Sequence, residues 1–254
     1  MTEWLLPAAV LAVAVLYASV GHGGATGYIA VMGLYGMVPE VIRPTALALN
    51  LVVATIGTVQ FVRAGHFRRD LFMPLALASV PAAALGGALA LPTAVFESVL
   101  GAVLAFSAGR IVLELRAGAP AGGGLPGEAP EELRQLSGGV LMAIGAGLGL
   151  ASGLTGVGGG VFLTPLLLTL RVASTRQVAA VSVMFILVNS AAGLAGWLAG
   201  GRSLAAIDSA VLAAAAVGGL VGSQAGAFQL PVRWLRILMA VVLAVASVKL
   251  LSKG

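Results

Sequence analysis

The stretch Gly156-Val157-Gly158-Gly159-Gly160 interrupts a long apolar region, and Gly21-His22-Gly23-Gly24-Ala25-Thr26-Gly27 interrupts another near the start of the chain. Glycine weakens a helix, and backbone groups freed inside a lipid bilayer must be satisfied by protein, water or a bound molecule. Two such breaks at matching places in two halves of a membrane protein indicate a binding site. The two glycine stretches therefore predict both the division of the chain and the position of its site.

The composition is that of a protein embedded in lipid. Of the 254 residues, 59% are hydrophobic and 9% are charged, whereas a soluble domain carries roughly 25% charged residues. Several apolar runs reach the length of about 20 residues that crosses a bilayer. The sequence predicts an all-α polytopic membrane protein. Its 12 Arg against 2 Lys, with abundant Ala and Gly, favours a bacterial source and hence a multi-pass protein of the cytoplasmic (inner) membrane.

Charge and cysteine content argue against several other classes. The net charge of +5 comes from basic residues at the ends of apolar runs, as in cytoplasmic loops, and no contiguous basic face is present to bind nucleic acid. The absence of cysteine excludes disulfides and thiolate metal sites. No cluster of metal ligands, no acid–base pair and no activated nucleophile is visible, so we expect no metal, no cofactor and no enzymatic activity.

The apolar segments define the expected spans. They lie at about 5–20, 28–38, 45–62, 71–91, 95–115, 137–155, 161–170, 177–199, 208–228 and 233–251. We interpret the first as a retained span rather than a signal peptide, because Glu3 stands where a basic cluster is expected. The stretch 116–136, rich in Gly, Pro and Glu, is predicted to be a cytoplasmic linker between a first repeat, 1–115, and a second repeat, 137–254.

An internal duplication explains the order of these segments. Gly23-Gly24 recurs as Gly159-Gly160 and Gly65 as Gly201, each 136 positions later. We expect two pseudo-symmetric repeats of about four spans each, with glycine-broken helices. The segments 28–38 and 161–170 rise only about 15–17 Å, so they either continue a broken first span, which gives eight crossings, or form separate re-entrant half-helices, which gives ten segments. Four crossings per half make the repeats parallel, and five make them inverted.

The breaks and the polar residues inside spans are the candidate site. A helix that restarts after a break offers unpaired N–H groups and a partial positive charge, which favour an anion. Asparagine, serine and threonine side chains can add hydrogen bonds. The candidate substrate-binding residues are Gly21, His22, Gly23, Gly24, Thr26, Thr45, Asn50, Gly156, Gly158, Gly159, Gly160, Ser182 and Asn189.

Each of these features also has a plainer interpretation. Glycines permit close helix packing, which we assign to Gly86-Gly87 and Gly218-Gly219, and buried polar side chains hold helices together. His22 is a pH-sensitive gate, a direct anion contact or a hydrogen-bonded spacer. Arg43 and Arg176 either contact lipid headgroups or attract anions toward the site. No aspartate or glutamate lies deep within a predicted span, which disfavours a cation-driven importer.

The second break and the residues around it resemble the sulfite exporter TauE/SafE family of bacterial membrane proteins. Gly153-Leu154-Thr155-Gly156-Val157-Gly158-Gly159-Gly160-Val161-Phe162-Leu163-Thr164-Pro165 carries the glycine triplet followed by proline. The first break departs from this pattern, since it lacks one glycine of the triplet and the proline. The resemblance implies a duplicated architecture and the transport of sulfite, sulfonates or related sulfur-containing anions.

Together these observations predict a secondary transporter for a small sulfite-like oxyanion or organosulfonate, directed outward and working by alternating access. An anion channel and an ion-coupled importer of a small organic anion are the alternatives. The expected partners are the anionic substrate and the lipid bilayer, and the sequence leaves open a homo-oligomer.

Overall fold

The structure is a computed structural model that describes residues 4–19, 21–89, 135–170 and 172–227, with isolated residues in 95–113 and at 248. Its described helices are numbered here in chain order. They are α1 Leu5–Ser19, α2 Ala25–Leu34, α3 Pro39–Arg63, α4 Arg69–Ala88, α5 Gly138–Thr155, α6 Gly160–Thr169, α7 Thr175–Ala199 and α8 Ser209–Ala227. The predicted segments 95–115 and 233–251 and the linker 116–136 lie almost entirely outside the described residues.

The prediction of an all-helical membrane protein is confirmed. Every regular element in the described part of the chain is a helix, and four helices are long and apolar enough to cross a bilayer: Pro39–Arg63, Arg69–Ala88, Gly138–Thr155 and Gln177–Ala199. Glu40 and Arg63 lie in the first and last turns of α3, where they suit the helix dipole and the membrane surface.

The two short helices turn back along the helices that precede them. Thr26, at the start of α2, donates a hydrogen bond of 2.8 Å to the hydroxyl of Tyr17, near the end of α1. In the second half, a Cβ on Gly159 would lie 3.4 Å from the carbonyl oxygen of Leu148 in α5, and Leu167 at the far end of α6 shares a core with Leu141. Each short helix therefore folds back along the helix before it. The sequence left open whether these segments cross the bilayer or are re-entrant, and this fold-back favours the re-entrant alternative.

The equivalent long helices of the two halves run in opposite directions. Asn50 of α3 contacts Ser190 of α7, and a Cβ on Gly57 would lie 2.8 Å from Cγ2 of Val183. Since the contact partners in α7 decrease in residue number as those in α3 increase, the two helices are antiparallel. Both helices have 25 residues, and both α2 and α6 have 10. These lengths and directions are those of inverted repeats, while the repeat boundaries 1–115 and 137–254 stay a prediction.

Glycines allow the first helix of each half to pack on the fourth helix of the other. A Cβ on Gly153 of α5 would lie 2.7 Å from the backbone nitrogen of Gly87 in α4, and one on Gly218 of α8 would lie 2.6 Å from Cβ of Ala14 in α1. A side chain at these positions would push the helices apart. The packing role predicted for Gly86-Gly87 and Gly218-Gly219 is confirmed, and the crossed packing brings the two glycine breaks to the middle of the bundle.

Candidate functional site

Both glycine stretches form breaks in which the backbone adopts left-handed conformations. In the first break, residues 21–24, Gly21 and Gly24 have φ of 77° and 94°; in the second, residues 156–159, φ is 79° at Gly156, 79° at Gly158 and 77° at Gly159. A side chain is rarely tolerated at such angles. The glycines are therefore needed to end one helix and to begin the next in the opposite direction.

The two breaks meet at the middle of α3 and α7. A Cβ on Gly23 would lie 2.6 Å from Oδ1 of Asn50, and one on Gly158 would lie 2.5 Å from Nδ2 of the same side chain. The same hypothetical atoms would lie 2.9 and 3.1 Å from Cγ2 of Ile186. Asn50 and Ile186 thus lie between two glycine segments that are 135 positions apart in the sequence.

The N-termini of α2 and α6 adjoin this point from opposite sides. The first helical hydrogen bond of α2 is donated by Tyr28 to the carbonyl of Gly24, and that of α6 by Phe162 to Gly159. The N–H groups that precede these donors have no partner within their helix, as at every helix start. Two helix N-termini, each with about half a positive charge, therefore converge on the region around Asn50.

The amide nitrogen of Asn50 has hydrogen-bond partners, whereas its amide oxygen has none. Its Nδ2 donates to Oγ of Ser190 at 3.3 Å and to the carbonyl of Val157 at 3.5 Å, whereas Oδ1 has no hydrogen-bond partner although the residue is 0% exposed. A buried polar atom without a partner is costly in a static core. The breaks, Asn50 and Ser190 thus form a polar point with unused hydrogen-bonding capacity inside an apolar bundle.

A second unpartnered polar group lies at the first break. The hydroxyl of Tyr28 is buried without a partner, and a Cβ on Gly24 would lie 2.8 Å from it. The neighbouring Thr26 hydroxyl is occupied by its bond to Tyr17. Tyr28 therefore places a free O–H donor next to the N-terminus of α2.

Sequence reasoning missed Ser190, Tyr28 and Ile186 as site residues. Ser190 follows the predicted Asn189, and the sequence comparison paired Asn50 with Asn189 and so did not consider its neighbour. Since α3 and α7 begin and end 136 positions apart, the equivalent of Asn50 is Ile186. Tyr28 follows Gly24 by one helical turn, a spacing that places its ring over the break.

The remaining predicted residues lie elsewhere around the breaks. Asn189 is buried and donates to the carbonyl of Phe185 in its own helix, and its Oδ1 has no partner. Ser182 accepts a hydrogen bond of 2.9 Å from Thr164, which joins α7 to α6. Thr45 is buried one and a half turns before Asn50 in α3. The backbone N–H of His22 donates to the carbonyl of Tyr17 at 2.9 Å, and its side chain is half-buried.

Arg43 lies inside the bundle and not at a lipid headgroup. It is 3% exposed. Its Nε donates to the carbonyl of Gly153 at 2.9 Å, and its Nη1 donates to the carbonyl of Leu89 at 3.1 Å. Its Nη2 donates to the carbonyls of Gly86 and Gly87. These carbonyls end α4 and α5, where unpaired oxygens carry partial negative charge. Arg43 thus closes one end of the bundle. The side chain of Arg176 lies outside the described residues.

Comparison with known proteins identifies the family of the chain. The model of the sulfite exporter TauE/SafE family matches residues 6–250, so the chain belongs to that family of membrane transporters. It is 39% identical over 246 residues to the probable membrane transporter protein y4hK of Sinorhizobium fredii, with 97% of each chain covered. No solved structure matches the chain.

Proposed function

We propose that this TauE/SafE transporter moves a small sulfur-containing oxyanion or organosulfonate, similar to sulfite, out of the cytoplasm by alternating access. The anion binds where the two glycine breaks meet. The N–H groups at the starts of α2 and α6 supply the main contacts, and Asn50, Ser190 and Tyr28 supply side-chain hydrogen bonds.

The convergence of both breaks on Asn50 carries this proposal. In this closed arrangement the Asn50 amide and Ile186 fill the space beside Gly23 and Gly158, so an anion reaches the main-chain N–H groups of both halves once these side chains move aside. Helix N-termini are favourable anion sites, and they need no buried lysine or arginine. The asparagine amide can rotate so that its N–H₂ donates to the anion, with Ser190 Oγ then donating to Oδ1.

Burial of the site supports a transporter with alternating access over an open channel. Asn50, Ser190 and Thr26 are all 0% exposed, so cargo reaches the breaks only when surrounding helices move. The opposite directions of α3 and α7 supply the inverted arrangement on which such rocking motions are built in other transporters. Saturable, slow flux agrees with this mechanism, and a flux that rises linearly with anion concentration supports the channel alternative.

The membrane potential favours the outward direction. An interior-negative potential of 100 mV supplies about 2.3 kcal/mol for each negative charge that leaves the cell. A monoanion or dianion can therefore be exported without a coupled ion. The name of the matching family supports sulfite-like cargo, while the printed name of the Sinorhizobium relative supports membrane transport in general.

The test is the flux of radiolabelled sulfite, thiosulfate and an alkyl sulfonate into and out of proteoliposomes. Gly159→Leu fills the second break, because Gly159 has φ of 77° and its Cβ would lie 2.8 Å from Cε1 of Phe185. Gly147→Leu is the matched control, since Gly147 is exposed in α5 and has no atom within 4 Å of its Cβ position. We expect Gly159→Leu to abolish flux and Gly147→Leu to retain it. If Gly159→Leu transports the anions as fast as Gly147→Leu, the proposal is refuted.

A further inference from the structure

A cavity of about 360 Å³ lies at the end of the bundle that Arg43 closes. Its wall includes Glu40, Trp197, Arg202 and Ser203. This end is opposite to the one where the linker joins α5, because Arg43 contacts Gly153 close to the C-terminal end of that helix. The residues that line the cavity include none from either glycine break.

Arg202 is held in this wall by the end of α4. Its Nη2 donates to the carbonyls of Gly87 at 2.6 Å and Ala88 at 2.7 Å, and its Nη1 to that of Leu89 at 3.2 Å. Its guanidinium lies 4.0 Å from the ring centroid of Trp197, which is within the range of a cation–π contact. Arginine has five N–H donors, so two remain for a ligand on a side chain that is already fixed in position.

Among the described residues, no carboxylate lies within ion-pair distance of the arginines around Trp197. The guanidinium of Arg43 lies 5.1 Å from the same ring, and both arginines donate only to neutral carbonyls. The ion pair found among the described residues is elsewhere, between Arg68 and Asp70. Glu40 lines the cavity but is not within ion-pair distance of either arginine. In the part of the chain that the structure describes, two guanidinium groups against one carboxylate leave a net positive charge, because the helix-end carbonyls that bind them carry only partial negative charge.

We propose that this cavity binds a small tetrahedral or pyramidal oxyanion on Arg202, with Trp197 as its floor. Charge-assisted hydrogen bonds to an oxyanion are about twice as strong as those to neutral groups. Each of the three guanidinium nitrogens of Arg43 already donates to a carbonyl, so Arg43 acts mainly by its charge, whereas Arg202 binds directly. Glu40 opposes the anion and limits its affinity. The ligand is a soluble oxyanion or the phosphate of a lipid headgroup. This second site does not rest on the function proposed for the breaks.

Trp197 provides a direct readout of binding. We would replace Trp4 and Trp234 by phenylalanine, so that Trp197 is the remaining tryptophan of the three in the chain. The purified full chain in neutral detergent is titrated with sodium sulfate and sodium methanesulfonate, with sodium chloride at equal ionic strength as the reference. We expect a saturable change in Trp197 fluorescence with the two oxyanions. An identical change with chloride would show ionic screening and overturn the proposal.

Two variants test the roles of the charged side chains. Arg202→Gln should raise the apparent dissociation constant about tenfold or more, and Arg68→Gln, which removes a partly exposed arginine bound to Asp70, should leave it unchanged. Glu40 is exposed, so Glu40→Gln is not expected to disturb folding; it should tighten binding roughly two- to fivefold at low salt. Binding that is unaffected by Arg202→Gln, or weakened by Glu40→Gln, would refute the assignment.

An experiment in lipid nanodiscs distinguishes a soluble oxyanion from the phosphate of a lipid headgroup. Nanodiscs of phosphatidylcholine are compared with nanodiscs containing phosphatidylglycerol. A change of Trp197 fluorescence on adding phosphatidylglycerol, which then blocks the response to sulfate, assigns the site to a headgroup phosphate. A sulfate response equal in both lipids assigns it to a soluble anion. If neither phosphatidylglycerol nor sulfate changes the Trp197 fluorescence, the proposal is overturned. Gly159→Leu should lose flux yet keep the Trp197 response, so failure at one site is distinguishable from failure at the other.

Discussion

Replacing Arg43 by methionine should destabilise the protein strongly. Methionine retains much of the apolar stem, but it removes every donor that Arg43 gives to the ends of α4 and α5. The carbonyls of Gly87 and Leu89 also accept from Arg202, so they keep a partner. The carbonyls of Gly86 and Gly153 lose the side-chain donor that the structure gives them.

The expected cost follows from these two carbonyls. A buried polar group left without a partner costs about 1–3 kcal/mol, so the loss of both lowers the free energy of unfolding by about 2–6 kcal/mol. For a chain of this size, 1 kcal/mol corresponds to about 2–4 °C in Tm. We therefore expect Arg43→Met to lower the Tm by at least about 4 °C.

The measurement is thermal unfolding in detergent, followed by tryptophan fluorescence and by the loss of the monodisperse peak in size exclusion. Arg68→Gln is the control, because an exposed ion pair contributes about 0–1 kcal/mol, and its Tm should stay close to that of the wild type. The Tm of Arg43→Lys should lie between those of Arg43→Met and Arg68→Gln, because one ammonium group cannot reach the carbonyls of both α4 and α5. A Tm for Arg43→Met equal to that of Arg68→Gln would show that the carbonyls of α4 and α5 do not depend on Arg43.

Three further variants test the site and the packing around it. Gly23→Ala places a methyl group 2.6 Å from Oδ1 of Asn50, and overpacking of this kind costs about 1–3 kcal/mol. Flux at low cargo concentration should therefore fall roughly five- to 100-fold. The control Gly147→Ala should retain the wild-type rate. Tyr28→Phe removes a hydroxyl that has no partner; the Tm should not fall, but the dissociation constant for the cargo, measured by calorimetry, should rise about three- to tenfold. Gly153→Ala brings a methyl group 2.7 Å from the backbone nitrogen of Gly87 and should lower the Tm, whereas Gly147→Ala should raise it slightly because alanine favours a helix.

Hydropathy and glycine content were sufficient to predict the helices but not their directions. The predicted segments 177–199 and 208–228 differ from α7 and α8 by two residues or fewer at each end. The turn-back of α2 and α6 could not be predicted, since length decides only whether a segment is long enough to cross. Direction depends on contacts such as Thr26 with Tyr17, which join residues on either side of a break.

The position of the breaks was predictable, whereas their partners were not. Consecutive glycines in an apolar run are visible in the sequence, but which side chain fills the space between two breaks depends on the register of α3 against α7. Arg43 was misread for a related reason. An arginine near the start of an apolar segment has the same pattern whether it faces lipid headgroups or the ends of other helices.

The two ends of the bundle are not equivalent, and this bears on the direction of transport. On the 136-residue spacing of α3 and α7, the counterpart of Arg43 is Ala179. A Cβ on Gly156 would contact the side chain of Arg43, and one on Gly21 would lie 3.0 Å from Cβ of Ala179. One end is therefore joined by hydrogen bonds from a guanidinium, whereas the corresponding contact at the other end is between apolar atoms.

Under the proposed rocking motion, this difference should keep the Arg43 end closed in the absence of cargo, so that the site opens toward the end where the linker joins α5. If the linker is cytoplasmic, the resting protein loads cargo from inside, as an exporter must. The chain contains no cysteine, so Ser190→Cys gives a single thiol at the breaks. We expect a membrane-impermeant maleimide to label it in inverted vesicles and not in intact cells, and Arg43→Met to increase labelling from outside. Preferential labelling in intact cells would contradict the assignment of the closed end and, with it, the outward direction.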